Sequence, residues 1–445
     1  MPRLALISPK GADYTQDEQL SSFLKSDNRM QNIRRMWSSP NLGLLVIAAL
    51  TPSNWEIVYI DEHHREIDFT QQYDVVGISC MTQQILRGYE IASEFRLRGI
   101  TTVIGGIHAT VCPDEVISYV DSVMVGEAES LWEGLLKDWE NGQLKSIYKE
   151  DIPGSCDVTK SPIPRYDLIV DYPYETITID TSRGCNHNCS FCAASKVYGS
   201  VYRRKSNDQI LAELNEIIKY FPDRYVLFGD DNLFVSRDEC KDLLERIKPL
   251  GIRWAAQTDI SIAEDVELVR KMADGGCIWV VIGLESITSA NLTGVEAWKA
   301  TRVQDYKASV RIIQENGVGV MGAFVFGMDY DDNEKMEKTI EFINDCNLYG
   351  IHVTSPTPFP GTRFRQEIID ADRLIDKPWS YYTHWDIIIQ PKMMKEEELK
   401  NCIYKIYQSF SSEENMQKRF QTFIHQMRNR KKNIVTVKPV LSNSS

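Results

Sequence analysis

Arg183 to Ser195 reads RGCNHNCSFCAAS, which sets Cys185, Cys189 and Cys192 at C-x3-C-x2-C spacing. Three thiols on so short a loop cannot all turn into a core, and crowded thiolates favour a soft metal centre. Gly184, Asn186 and Asn188 make the stretch a loop rather than an apolar strand, which argues against three unrelated buried thiols. Zinc with His187 as fourth ligand wants a longer gap than the one residue between Cys185 and His187. An iron–sulfur cluster takes cysteine thiolates. Three of them leave one iron of a four-iron cluster open for a small molecule. The spacing favours the cluster.

Outward from the loop, apolar runs alternate with amphipathic ones. Thr176–Asp180 is strand-like and leads straight into the cysteines. A helix over 208–220 and a strand over 225–228 follow, ending in Gly229-Asp230-Asp231-Asn232. Further strands are expected over 253–257, 278–283, 318–326 and 351–354, with helices over 262–273, 305–315 and 333–347 between them. Gln257 ends one of these strands and Leu284-Glu285-Ser286 another. Six strand–helix units are too few for a closed eight-stranded barrel. They predict a partial (β/α)6 barrel over 173–365, with its site at the carboxyl ends of the strands.

Upstream, residues 1–145 show the same alternation, with strands expected over 4–8, 57–61, 75–79, 101–106 and 122–126 and helices over 83–98 and 130–140. The pattern is α/β, a doubly wound, Rossmann-like parallel sheet whose ligand lies beyond the carboxyl ends. Ser79 and Thr82 follow the third strand, Gly105, Gly106 and His108 the fourth, and Gly126 and Glu127 the fifth. Paired glycines let a flat ligand or a phosphate approach the backbone closely. Residues 146–172, with Pro153, Pro162 and Pro164, read as a linker. Residues 366–445 read as a small helical cap with an aromatic stretch (Trp379, Tyr381, Tyr382, His384, Trp385) and a solvated basic tail. His384 is the ionisable group there to test for proton transfer.

The chain's 445 residues carry a net charge of −13, which argues against a nucleic-acid phosphate partner. Ten cysteines without a disulfide-like pattern point to a reducing cytoplasm. MPRLALISPKG lacks a long apolar core for a signal peptide, and no apolar run reaches membrane-spanning length.

C-x3-C-x2-C with an aromatic, Phe191, before the last cysteine resembles the radical SAM superfamily. The resemblance implies a [4Fe–4S] cluster on Cys185, Cys189 and Cys192, whose open iron binds S-adenosylmethionine (SAM). One electron, from a donor such as flavodoxin or ferredoxin, then cleaves SAM to a 5'-deoxyadenosyl radical. It implies Phe191 at the adenine, Gly229, Asp230 and Asp231 at the SAM amino group, and Glu285 at the ribose or methionine part. Gln257 would face the same cavity, and Gly322 and Gly327 would allow close approach by the fifth strand. Arg203 and Arg204 would neutralise a carboxylate or solvate a loop.

"GGIHAT", "VGEAES", "NLGLLVIAALTP" and "IDE" resemble the cobalamin-binding domain that precedes the barrel in one large radical SAM class; "PFPGT" and "IIQPKMMKEEEL" resemble its tail. Asp61–Glu66 departs from the axial-histidine motif D-x-H-x-x-G: it ends in Glu and follows the second strand. The resemblance therefore implies cobalamin without a protein histidine below the cobalt, with His63 and His64 as surface residues. It further implies methylation of an unactivated carbon in a small-molecule, lipid or peptide substrate. SAM would methylate cobalamin, and a second SAM would give the radical that activates the substrate. Two alternatives are a related ring-closing or ring-rearranging enzyme and a non-catalytic cobalamin or iron–sulfur sensor. SAM-site polar clusters at successive strand ends have no purpose in a sensor.

Overall fold

The computed structural model describes residues 1–435 except 27–29, 31, 32, 34, 36, 37 and 188; side chains of 26, 195 and 429–435 are also left aside. Asn188 of the cysteine loop and residues 436–445 of the basic tail lie outside the described residues.

Two six-stranded parallel sheets carry the chain. The first comprises β1 (Arg3–Ser8), β2 (Glu56–Asp61), β3 (Val75–Ser79), β4 (Thr101–Gly105), β5 (Ser122–Val125) and β6 (Ile147–Lys149), ordered β2-β1-β3-β4-β5-β6. Reversal of direction at β1 is the doubly wound arrangement, and it puts the binding crevice at the carboxyl ends. Its central strands are buried on both faces, so they read as continuous apolar runs rather than alternating ones. Residues 146–172 are not a bare linker. They supply β6, and Tyr166 and Ile169 are fully buried.

The second sheet begins with β7 (Thr176–Ile179). A two-residue hairpin, β8 (Ser182–Arg183) with β9 (Arg203–Arg204), follows, its strands antiparallel. Then come β10 (Tyr225–Phe228), β11 (Arg253–Thr258), β12 (Cys277–Glu285), β13 (Gly319–Val325) and β14 (Gly350–Thr354). The order β14-β13-β12-β11-β10-β7 simply follows the chain, and β7 and β14 do not pair among the described residues. The result is an open partial barrel. Its β14 edge is covered by the helix Glu396–Phe410, whose Tyr407 hydroxyl accepts from the Val353 amide and donates to the Val353 carbonyl, both at 2.9 Å. That contact satisfies an edge that would otherwise invite another strand.

One apolar core runs from a face of the first sheet, through Leu4, Leu6 and Trp132, into the barrel at Ile177, Phe228 and Trp254. The other face of the first sheet has its own layer around Ile7, Ile78 and Phe95. A shared core fixes the two sheets against each other, and so brings their carboxyl ends to one place. The carboxyl-terminal helices Glu396–Phe410 and Glu413–Val435 complete the fold, and no helix of the described residues is long and apolar enough to cross a membrane.

Candidate functional site

The cysteine loop leaves β7 through Asp180 and Thr181 and is pinched at its base by the β8–β9 hairpin. Gly184 sits at the pinch with φ +84°, and a Cβ there would run into the Val201 carbonyl oxygen. Only glycine fits. Cys185, Cys189 and Cys192 are partly exposed, and no disulfide joins any of the ten cysteines. The Cys192 amide donates to the Cys189 carbonyl at 3.2 Å, and the Ser190 amide to the Val295 carbonyl at 3.2 Å. Burial raises the Cys185 and Cys189 thiols, so a metal centre is what would hold them as thiolates. His187 is occupied elsewhere: its Nε2 lies 3.2 Å from the Asp259 carboxylate and its ring 5.0 Å from Trp298.

The next strand separates the two aspartates. Gly229 is required because a Cβ would meet Asp180 Oδ1 at 2.7 Å and Thr178 Cγ2 at 2.9 Å. Asp230, 1% exposed, accepts from the Thr181 amide (3.2 Å), the Thr181 hydroxyl (2.7 Å) and the Ser182 hydroxyl. Its carboxylate is spent on the turn that launches the cysteine loop. Asp231 has no hydrogen-bond partner among the described residues. Asp231 is solvent-exposed, and partial desolvation with Asp180 and Asp230 nearby pushes its carboxyl up to about 6. Gln257 is half-buried at the end of β11, where its carbonyl accepts from Leu233. Glu285, at φ +60°, gives Oε1 to Lys299 at 2.7 Å, and both side chains are nearly buried. A non-glycine residue held in that region stores strain of order 1–3 kcal/mol. Cys189 donates to Glu296 at 3.1 Å beside this pair. Phe191 is partly exposed within the cysteine loop.

On the facing side, Ser79, Gly105, Gly106, Gly126 and Glu127 line a cavity of about 870 Å³ between the two sheets. Gly106 and Gly126 adopt φ +92° and +95°, which keeps the rim free of side chains there. Thr82 and His108 are not part of this wall: both are buried, His108 completely. His63 and His64 are exposed, as expected, yet they stand at the edge of the same cavity. Glu127 does not face the cavity unpaired. Arg183 and Arg203 reach it at 2.6 and 2.7 Å, and Arg183 also reaches Glu129 at 2.6 Å. Burial would raise Glu129, but Arg183 holds it below the usual carboxylate range. The cysteine hairpin is thus ionically clamped to the end of β5.

Asp180, Arg183 and Tyr198 supply the barrel side of the cavity, and Asn41 and Leu42 open the helix Leu42–Leu50 beside it. Residue-type clusters did not single these out. Asp180 is the last residue of an expected strand, and Arg183 stands two positions ahead of Cys185. Their role appears only where the two domains meet.

Residues 179–343 match the family model of the radical SAM superfamily, and residues 38–136 match that of the B12 binding domain. The chain belongs to the radical SAM superfamily, in the class with an N-terminal B12-binding domain. It is 29% identical over 382 residues to bacteriochlorophyllide d C-8(2)-methyltransferase of Chlorobaculum tepidum, covering 82% of this chain and 84% of that one. Bacteriochlorophyllide d C-12(1)-methyltransferase of the same organism is also 29% identical, over 390 residues, 85% of this chain and 84% of its relative. Among solved structures, the cobalamin-dependent SAM radical enzyme OxsB, with aqua-cobalamin and SAM bound, superposes with a TM-score of 0.71 over 97% of this chain and 72% of that one. At 14% identity that likeness speaks for the fold alone.

Proposed function

We propose that the chain is a radical SAM enzyme that, with cobalamin, methylates an unactivated carbon of a large, mostly apolar small molecule. The shared cavity carries this reading: one wall is the glycine rim of the first sheet, the other the residues that launch the cysteine loop. When bound, a [4Fe–4S] cluster with SAM supplies a hydrogen-abstracting radical, and cobalamin supplies the methyl group. Cys185, Cys189 and Cys192 would hold the cluster. Asp231 is the carboxylate left open for the SAM ammonium, with Phe191, Gln257 and Glu285 nearby along the loop and strand ends. Ser79, Gly105, Gly106 and Gly126 would take cobalamin against bare backbone.

The chain's own contribution is placement and exclusion of water. Leu6, Leu42, Val46, Ile47 and Trp132 give the cavity an apolar flank. Arg183 neutralises the acidic end of β5, so cluster loop and cobalamin rim are held in one register. The relatives named for bacteriochlorophyllides support a planar tetrapyrrole, and a lipid of similar bulk would suit the same surface. The reductant would be a one-electron donor such as flavodoxin or ferredoxin.

The test is anaerobic turnover with reductant, cobalamin and SAM bearing a trideuterated methyl group, on tetrapyrrole and lipid candidates. Deoxyadenosine and a product carrying the labelled methyl are expected. Deoxyadenosine with a ring-altered, unlabelled product would favour the ring-closing alternative. Absence of deoxyadenosine with every candidate would sink both.

A further inference from the structure

The helical turn behind the glycine rim carries a second set of metal-binding side chains. His108, Cys112 and Glu115 follow Gly106 at i, i+4 and i+7, which stacks them on one face of two short consecutive helical segments, Ile107–Val111 and Pro113–Val116. Their donor atoms all lie within 4.8 Å of one another. His108 is completely buried, and neither of its ring nitrogens has a hydrogen-bond partner. Its Nε2 stands 3.6 Å from Glu115 Oε1, beyond hydrogen-bond reach. Buried imidazoles with two idle nitrogens are rare, because the lost hydration has nothing to offset it.

Glu115 is oriented by two aromatic side chains. The Tyr89 hydroxyl donates to Oε1 at 2.8 Å, and the Trp379 indole donates to both carboxylate oxygens at 3.1 Å. Carboxylate ligands are commonly fixed by such outer donors. Trp379 also packs edge-on against His108, ring centroids 5.1 Å apart.

We infer that His108, Cys112 and Glu115 form a zinc(II) site, separate from the cysteine loop and from the interdomain cavity. The donor set is imidazole nitrogen, thiolate sulfur and carboxylate oxygen, which suits a borderline divalent ion in tetrahedral geometry. Donors about 2.0–2.3 Å from such an ion sit roughly 3.3–3.8 Å apart, close to the 3.6 Å observed between His108 and Glu115. A neutral imidazole, a thiolate and a carboxylate leave the loaded site uncharged. Cys112 and Glu115 are partly exposed, so water can enter as fourth ligand. Because Trp379 comes from the carboxyl-terminal segment, the ion would fasten that segment to the back of the cobalamin-type domain. A second trio, Glu127, Glu129 and Cys156, is also within 4.8 Å, but both of its carboxylates are already paired with arginine.

The decisive experiment is X-ray absorption at the zinc edge on the full-length, cluster-reconstituted protein, where iron is silent. After loading with zinc and washing with a mild chelator, about one zinc per chain should remain, with one sulfur and the rest nitrogen or oxygen in its shell. Cys112→Ser should remove the sulfur, and His108→Gln should weaken zinc binding at least tenfold; Cys156→Ser should change neither. Cys112→Ser is nearly isosteric, so it decides the matter even if His108→Gln misfolds. Zinc stripped by the mild chelator, an all-oxygen shell, or a sulfur lost only in Cys156→Ser would overturn the assignment.

Discussion

The two sheets offer opposite chemistry at their carboxyl ends. β4 and β5 end in Gly105-Gly106 and Gly126, so that rim presents backbone. β7, β10, β12 and β13 end in or near Asp180, Asp230, Asp231, Glu285 and Asp331, so the barrel rim presents carboxylates. Bare backbone suits a broad, flat ligand that must come close. Carboxylates suit a cationic group, but they also repel one another in a desolvated place, so most must be engaged. Asp230 is engaged by Thr181 and Ser182, Glu285 by Lys299, and Asp331 by Asn291 and two amides. Among the described residues Asp180 and Asp231 are the two left without a hydrogen-bond partner; Asp180 has the cations Arg183 and Lys205 near it, so Asp231 is the one with neither a hydrogen bond nor a cation.

The largest effect expected is from removing the loop thiols. Cys185→Ala, Cys189→Ala and Cys192→Ala together should abolish the cluster's visible absorption and all deoxyadenosine formation. If the rims are chemically independent, the same triple variant should still bind cobalamin, read from its spectrum after gel filtration. Losing cobalamin as well would show that the glycine rim depends on the occupied loop.

Arg183 is where the two rims touch. Replacing it by alanine leaves Glu129 without its cation, and Glu127, 2% exposed at its side chain, with Arg203 alone. Breaking a buried pair by removing one partner costs about 3–5 kcal/mol. The midpoint of urea unfolding should fall accordingly. Arg183→Lys should recover only part of it, since a point ammonium cannot span two carboxylates as a guanidinium does. An unchanged midpoint in Arg183→Ala would mean the clamp adds nothing to stability.

Asp331 tests whether engaged rim carboxylates still carry a desolvation cost. Burial raises its carboxyl from 3.8 to about 6, although the Gly327 and Met328 amides and Asn291 favour the charged form. Between roughly pH 4 and 6 the folded state then holds a proton that the unfolded chain has released. Stability must therefore fall as pH rises through that window, by at most about 3 kcal/mol, and level off above it. Asp331→Asn should flatten that slope. The same slope in the variant would assign the titration to another group.

How far the sequence reached follows from what each signal depends on. Cysteine spacing and the strand–helix rhythm are local, so the loop, the six barrel strands and five strands of the first sheet were legible. β6 was not: three residues, only Tyr148 buried, give no periodicity to read. Helix Arg237–Ile247 was missed between two strands, although its buried Cys240, Leu243, Leu244 and Ile247 fall at the i, i+3, i+4, i+7 spacing of one helix face. Of the residues chosen by type, Thr82 and His108 do not line the cavity: both are buried behind its rim. Arg183 and Asp180 matter through partners dozens of residues away, which no short window contains.

The smallest effect, and the sharpest test of the rim comparison, concerns Asp230 against Asp231. The two are adjacent, and sequence alone gives them the same claim on the SAM ammonium. Their surroundings differ in kind. Removing the Asp230 carboxylate would strand the Thr181 amide and two hydroxyls in a buried turn, at about 1–3 kcal/mol for each unpaired group. Asp230→Ala should therefore lower both stability and the amount of cluster retained, because the turn it ties leads directly to Cys185. Asp231 ties nothing, so Asp231→Ala should leave the unfolding midpoint and cluster content as they were. Its loss should be felt only where an ammonium needs an acceptor: SAM affinity, by calorimetry on the reconstituted protein, should drop by about tenfold, roughly 1.4 kcal/mol. Asp231→Asn, which keeps an acceptor without the charge, should fall between. If Asp231→Ala binds SAM normally, the open carboxylate of the barrel rim is not the acceptor. Glu285 would then have to leave Lys299 to take the role, and Lys299→Ala would be the variant that alters SAM affinity.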